Sequence, residues 1–252
     1  MNNYIEYFTN YIRMNFDLNN KLIQSKYFHS LRVAYLMAIL GKKLGLSDKD
    51  ITLAYKIGLC HDLGRFYEVV RNGKFNNKIF DHGSYSNKIL YNDSFVKYMN
   101  IDNEDQLLFR KAIYYHNKKD IGNDLNKREL LFTNMLRDID KIDLLRVRFN
   151  GKRLNFKNMP TNIVLSNYMN GETINLKDLH NDTDRAILYL SFIKNLNFDY
   201  SFDLVNEEGD INKLLDIIDI DEKLTSLMDE LLNKIKERRN KDVREKVRSY
   251  NR

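Results

Sequence analysis

The chain has 252 residues, of which 43% are apolar and 30% charged, a balance that can fill one good core or two small ones and excludes wholesale disorder. No run approaches the ~20 apolar residues that span a bilayer, since the greasiest segment, Leu31 to Leu40, is broken by Arg32 and followed by Gly41-Lys42-Lys43. The formal charge of +6 is confined to the end of the chain, where Lys234 to Arg252 holds nine Lys or Arg against three Asp or Glu and leaves the rest balanced, which excludes a basic surface over the whole fold. A solvated terminal helix is the simpler reading of that tail, and a contact with RNA, DNA or a protein partner is the alternative. The start, Met1-Asn2-Asn3-Tyr4-Ile5-Glu6, has neither a cationic segment nor a small-residue cleavage site, so it does not read as a secretory signal. With Cys60 as the single cysteine an internal disulfide is impossible, and a cytoplasmic location is expected.

One proline and ten glycines leave few helix breakers, and apolar residues recur at three- and four-residue spacings, so the fold is predicted to be all-α. Tyr4 to Met14 reads as a first amphipathic helix and Lys21 to Leu44 as a long second one that stops at Gly45. Ser47, with Asp50 three residues on, has the pattern of a capped helix running to Cys60, which would deliver His61 and Asp62 at its C-terminal end. Helices are expected over Phe66 to Val70, Gly83 to Tyr91, Asp105 to Tyr115 and Lys127 to Phe149. From Asn150 to Pro160 the periodicity fails, which predicts a loop or boundary. Beyond it Asp182 to Leu196, Asn212 to Ile218 and Asp221 to Arg239 read as amphipathic helices, and the division expected is a domain over 1–155 with a helical extension over 156–252.

Four of the five histidines, His29, His61, His82 and His116, lie in segments suited to burial, whereas His180 reads as a surface or capping residue. In Gly58-Leu59-Cys60-His61-Asp62-Leu63-Gly64 an ionised Asp stands beside a His in apolar surroundings, a costly placement unless the charge is paired or coordinated. Imidazole nitrogen and carboxylate oxygen are ligands for zinc, iron, manganese or nickel, and a divalent cation would offset that cost.

The order His29, His61-Asp62, Asp140, with Arg137-Asp138-Ile139-Asp140-Lys141-Ile142-Asp143 around the last member, resembles the signature of the HD phosphohydrolase superfamily over residues 20 to 150. The resemblance implies an HD-domain helical bundle with a helical C-terminal extension, and hydrolysis of phosphate esters at a centre of one or two divalent ions (Mn, Fe, Ni, Co, Zn or Mg). Phe80-Asp81-His82-Gly83 and Ile113-Tyr114-Tyr115-His116-Asn117 are similar to the extra histidines of members with two metals, in which the Asp of the HD pair bridges the ions. Carried over, His29, His61, Asp62 and Asp140 would bind a first ion and Asp62, His82 and His116 a second. Arg65 stands where many HD enzymes have Lys or Arg, so Asp62, Arg65 and Lys141 are the expected catalytic groups; Lys141 and Arg137 flank Asp140 on its helix, surface salt bridges are the alternative for Arg65, Lys141 and Arg137, and Asp81 and Asp143 would either orient imidazoles or stand as solvated carboxylates. Simpler readings make His82 a helix cap, His116 a solvent-facing residue and Cys60 an ordinary core residue.

The expected substrate is a phosphate monoester or diester of a nucleotide-like compound. No Gly-Tyr-Pro follows His116, where Asn117-Lys118-Lys119-Asp120-Ile121 stands, which disfavours the cyclic di-GMP branch, and the Glu-Asp element of the alarmone hydrolases is not evident after Asp62. A di-iron oxygenase and a nucleotide-sensing or nucleic-acid-binding module without turnover are the rival readings. Residues 160 to 252 carry no motif and are left as a cover for the site or a surface for homo-oligomer formation.

Overall fold

The computed structural model describes residues 2–75, 80–92, 95–149, 151 and 153–250, without the side chains of residues 2, 92 and 240–250. Helix α1 (Asn2–Asn15) buries Phe8 and Ile12, one turn apart on the face that meets the core. Helix α2 (Lys21–Lys43) starts where the Asn20 side chain accepts from the backbone N–H of Leu22 and Ile23, and it gives way to a turn at Gly45, whose φ of 71° is a conformation that only glycine takes at no steric cost. Helix α3 (Asp48–Cys60) is capped as its sequence predicts, with Asp50 N donating to Ser47 Oγ at 3.1 Å. From Leu53 to Cys60 every residue of α3 is buried, so it runs through the middle of its unit, against α1, α2 and α7.

Helix α4 (Leu63–Asn72) follows after two residues, and then come α5 (His82–Asn92), the single turn α6 (Phe95–Tyr98), a 3-10 turn over Asn103–Asp105, α7 (Gln106–Tyr115) and α8 (Lys127–Phe149). By their contacts the residues group into two units, Met1–Asp143 and Leu144–Arg252. In the first, Phe66 on α4 packs against Phe8 and Phe16, with ring centres 6.3 and 5.3 Å apart.

The second unit departs from the expected pattern. The stretch read as a loop holds strand β1 (Leu154–Phe156), which pairs in parallel with β2 (Ile218–Ile220), Leu154 opposite Ile218 and Phe156 opposite Ile220; the boundary residue Asn150 itself lies outside the described residues. Three alternating residues are too few to stand out from a helical background, and Ile218, expected at a helix end, begins β2 because α12 stops at Asp216. Helices α9 (Asn162–Asn170) and α11 (Asp199–Glu207) were also not foreseen, and α10 (Asp182–Lys194), α12 (Asp210–Asp216) and α13 (Thr225–Tyr250) complete the unit. The chain is nevertheless all-α in class, with two strands of three residues among the described residues. Among the described residues no helix is long and apolar enough to cross a membrane. The basic side chains beyond Arg239, on which the nucleic-acid reading depends, lie outside the described residues.

Asp184 organises the start of α10. Its carboxylate accepts from Thr161 N at 2.8 Å, Thr161 Oγ1 at 2.7 Å and His180 N at 2.9 Å, and it closes a capping box with Asn181. Burial pushes this carboxyl up, but the hydrogen bonds outweigh burial and hold it below its ordinary value. A depressed folded pKa means that the stabilisation is present above the ordinary Asp value of about 3.9 and disappears as pH falls through the folded value. Asp184→Ala is expected to cost about 3 kcal/mol, the loss of several hydrogen bonds to a buried carboxylate, read as a lower urea midpoint at unchanged slope; the deficit should shrink below pH 4.

Candidate metal centre

His61 is the C-cap of α3 and Asp62 the N-cap of α4, so the pair occupies the junction between two helices. An Asp at an N-cap ordinarily bonds the exposed N–H groups of the first turn, yet Asp62 makes no side-chain cap. Its carboxylate turns inward instead, where the positive end of α4 favours its charge. Two glycines permit this crowding: a Cβ on Gly58 would lie 2.8 Å from Ala34 Cα on α2, and one on Gly64 would lie 2.5 Å from His82 O on α5. The absence of side chains at these two positions lets α2 and α5 bring His29 and His82 to the junction.

The donor atoms form two adjoining groups. His29 Nε2 lies 3.2 Å from His61 Nε2, 3.4 Å from Asp62 Oδ2 and 3.1 Å from Asp140 Oδ1. His61 Nε2 lies 3.5 Å from Asp62 Oδ2 and 3.7 Å from Asp140 Oδ1. Ligands about 2.1 Å from one ion sit roughly 3 to 3.4 Å apart in octahedral or tetrahedral arrangements, so these four residues fit a single cation with little adjustment. On the other oxygen, Asp62 Oδ1 lies 3.6 Å from His82 Nε2 and 3.8 Å from His116 Nε2, and the two nitrogens are 3.2 Å apart. Asp62 thus gives one oxygen to each group.

The rings are fixed from behind. His61 Nδ1 donates to Gly58 O at 2.7 Å and His116 Nδ1 to Ile113 O at 2.6 Å, which leaves the Nε2 lone pairs facing the cluster. His29 Nδ1 meets Asp143 Oδ2 at 2.6 Å, and Asp143 is clasped by Arg32 through Nε at 2.7 Å and Nη2 at 2.9 Å. His82 is held by Asn117, whose Nδ2 lies 3.2 Å from His82 Nδ1 and 3.1 Å from Asp81 Oδ1. Arg137 Nη1 reaches the carbonyls of Tyr115, His116 and Lys118 at 3.0, 3.2 and 2.6 Å, closing the end of α7 that carries His116.

Electrostatics prepare the ligands. Burial pushes Asp62 up, but Lys26, His61, His116 and His29 hold it well below the usual carboxylate range; Asp140, likewise pushed up by burial, is held low by His29 and His61. Burial lowers both His61 and His82, keeping them neutral and able to coordinate. For His29, burial and Lys26 push the pKa down, yet hydrogen bonds to Asp140, Asp143 and Asp62 prevail and raise it to about 9. A cation must therefore displace a proton from His29 at neutral pH. Metal affinity is expected to rise with pH until it levels near pH 9, with proton release on binding, which calorimetry in buffers of different ionisation enthalpy will measure.

The HD domain family model matches residues 27–148. Residues 27–148 are an HD domain. No curated protein and no solved structure matches the chain. In this HD domain the six residues expected as ligands come together, and His116, read alternatively as solvent-facing, is 5% exposed. His82 is the first residue of α5, and its Nε2 is turned to Asp62 Oδ1. Cys60 is a core residue whose thiol burial pushes up, away from reactivity. Arg65 reaches the site but commits Nη1 to the buried Glu68 at 2.7 Å. Lys141 is half-buried directly after Asp140 on α8, and the distances that define the cluster run through the other residues. Asp143 meets the His29 imidazole directly, whereas among the described residues Asp81 reaches His82 through Asn117. Arg32, Asn117 and the carbonyl-capping role of Arg137 were missed; the three-residue spacing of His29 and Arg32 and the position of Asn117 beside His116 were the only signals.

Proposed function

We propose that this HD domain is a two-cation phosphohydrolase acting on a phosphate monoester or diester of a nucleotide-like compound. HD domains form a superfamily of metal-dependent phosphohydrolases. The observation that carries the two-cation reading is the division of Asp62 between His29, His61 and Asp140 on one side and His82 and His116 on the other. A carboxylate shared between two groups of imidazoles is what a bridged pair of ions needs, and one-ion binding would leave His82 and His116 without a purpose at the cluster.

Divalent cations held by these residues would supply Lewis acidity toward a phosphoryl group and activation of water. The chain's own residues do the positioning. His61 and His116 are fully buried side chains and form the floor, while Asp140, at 19% exposure the most open of the six ligands, marks the side from which water and substrate arrive. Arg65, with Nε 3.9 Å from Asp62 Oδ1, stands beside the bridging carboxylate to neutralise developing phosphate charge, a role that Lys141 would share from the Asp140 side.

Elemental analysis of purified protein and release of phosphate or nucleotide from a compound panel with added Mn, Ni, Co or Mg test this reading. Two ions per chain and turnover of at least one phosphate ester are expected. Iron with oxygen uptake, and no phosphate release with any metal, would replace it by an oxidative one.

A further inference from the structure

The chain places two cations of its own beside the bridging carboxylate. Lys26 lies on α2 one turn before His29, so both project from one face of that helix. Its Nζ donates to Asp62 Oδ2 at 2.6 Å, the same oxygen that faces His29 and His61. Arg65 approaches the other oxygen from α4. Lys26 Nζ and the Arg65 guanidinium carbon each lie 5.6 Å from the ring centre of Phe75, within the range of cation–π attraction. The Lys26 side chain is 12% exposed.

A cation coordinated by His29, His61, Asp140 and Asp62 would stand about 2.1 Å from Oδ2, against the oxygen that the ammonium already occupies. Both are positive, and in a poorly solvated site they repel strongly. A divalent ion on Oδ2 is therefore held less tightly while the ammonium stays there. A lysine stem is flexible and carries a compact charge with three donors and no acceptor, so the ammonium can swing away from Oδ2 while the Phe75 ring and the short tether to α2 keep it near the cluster. Asp143 is already neutralised by Arg32, which leaves Asp62 and Asp140 to balance two divalent ions; the filled cluster is net positive and attracts an anion.

We propose that Lys26 competes with a divalent cation for Asp62 Oδ2 and, once displaced, binds a phosphate oxygen of the substrate. Lys26 is then a substrate-binding residue that also tunes metal uptake. The inference rests on the phosphohydrolase reading above, but it makes a separable claim with effects of opposite sign. A residue that merely props up Asp62 would, when removed, weaken metal binding and leave phosphate binding to the loaded protein unchanged.

The test uses full-length Lys26→Met and Lys26→Arg. Calorimetry follows Mn binding to the metal-free proteins and then inorganic phosphate binding to the Mn-loaded ones. For Lys26→Met the expected result is Mn affinity about tenfold higher and phosphate affinity about tenfold lower than wild type, the worth of one charge-assisted hydrogen bond in each case. Lys26→Arg should retain most of the phosphate affinity, which also shows that position 26 can be changed without loss of the fold. Unchanged or weaker Mn binding by Lys26→Met overturns the competition, and unchanged phosphate binding overturns the substrate contact while leaving the phosphohydrolase reading intact if wild type turns over a phosphate ester. Failure of Mn-loaded wild type to bind phosphate overturns the substrate contact, and failure to hydrolyse any ester with any metal removes the phosphohydrolase reading on which it rests.

Discussion

Asp62→Ala is expected to reduce the bound metal to at most one ion per chain and to lower phosphate-ester turnover by about a thousandfold or more, the several kcal/mol that a two-metal clamp contributes to a phosphoryl transition state. The substitution removes one ligand from each group. His29, His61 and Asp140 still surround the first position, so an ion can remain there with weakened affinity, whereas His82 and His116 alone cannot retain the second. Asp140→Ala gives the complementary result, because among the described residues Asp140 faces the first group, at His29 and His61: the second ion stays and the first is lost or weakened. Elemental analysis after dialysis reads the stoichiometry of both variants, and circular dichroism of the metal-free proteins separates a lost ligand from a lost fold. If Asp62→Ala still holds two ions and keeps its turnover, the bridging arrangement has no role in function.

The ligands were legible because each stands in a segment whose local structure is strongly determined. Asn20 and Ser47 start α2 and α3 by side-chain caps, Gly45 ends the first of these helices, and the resulting lengths carry His29 and His61-Asp62 to one place. What holds the imidazoles was mostly not legible. Gly58 O and Ile113 O are backbone atoms that any residue would present, so no side chain announces them. Arg137 acts through contacts made only where α8 meets the end of α7, and Asn117 through contacts made only where that end meets the start of α5. Lys26 precedes His29 by one helical turn, a spacing too common to draw notice until its Nζ is found on Asp62. In the second unit β1 and β2 are three residues each and depend on tertiary pairing, which leaves no period to detect.

Asp143→Ala is expected to weaken the first ion by about 10- to 100-fold, the usual cost of losing the carboxylate behind a metal-bound imidazole, and to leave the second ion unaffected. Asp143 touches neither position. It accepts from His29 Nδ1 at 2.6 Å, which points Nε2 at the cluster and raises the electron density of the ring. Without it the ring is free to rotate, and the proton that belongs on Nδ1 can move to Nε2, where it blocks coordination. Arg32 would lose the partner that it clasps through two nitrogens, so part of the effect is structural, and Asp143→Asn separates the two contributions. The amide oxygen can still accept from Nδ1, so the ring stays oriented, while the negative charge that made the imidazole basic is gone. Metal affinity of Asp143→Asn should fall between wild type and Asp143→Ala, and proton release from His29 should move to lower pH, since Asp143 is one of the carboxylates that raise its pKa to about 9. Competition with a chromogenic chelator measures the first-ion affinity across pH for all three proteins. Equal affinities at every pH would mean that His29 is oriented by its helix alone and that the Asp143 contact is incidental to metal binding.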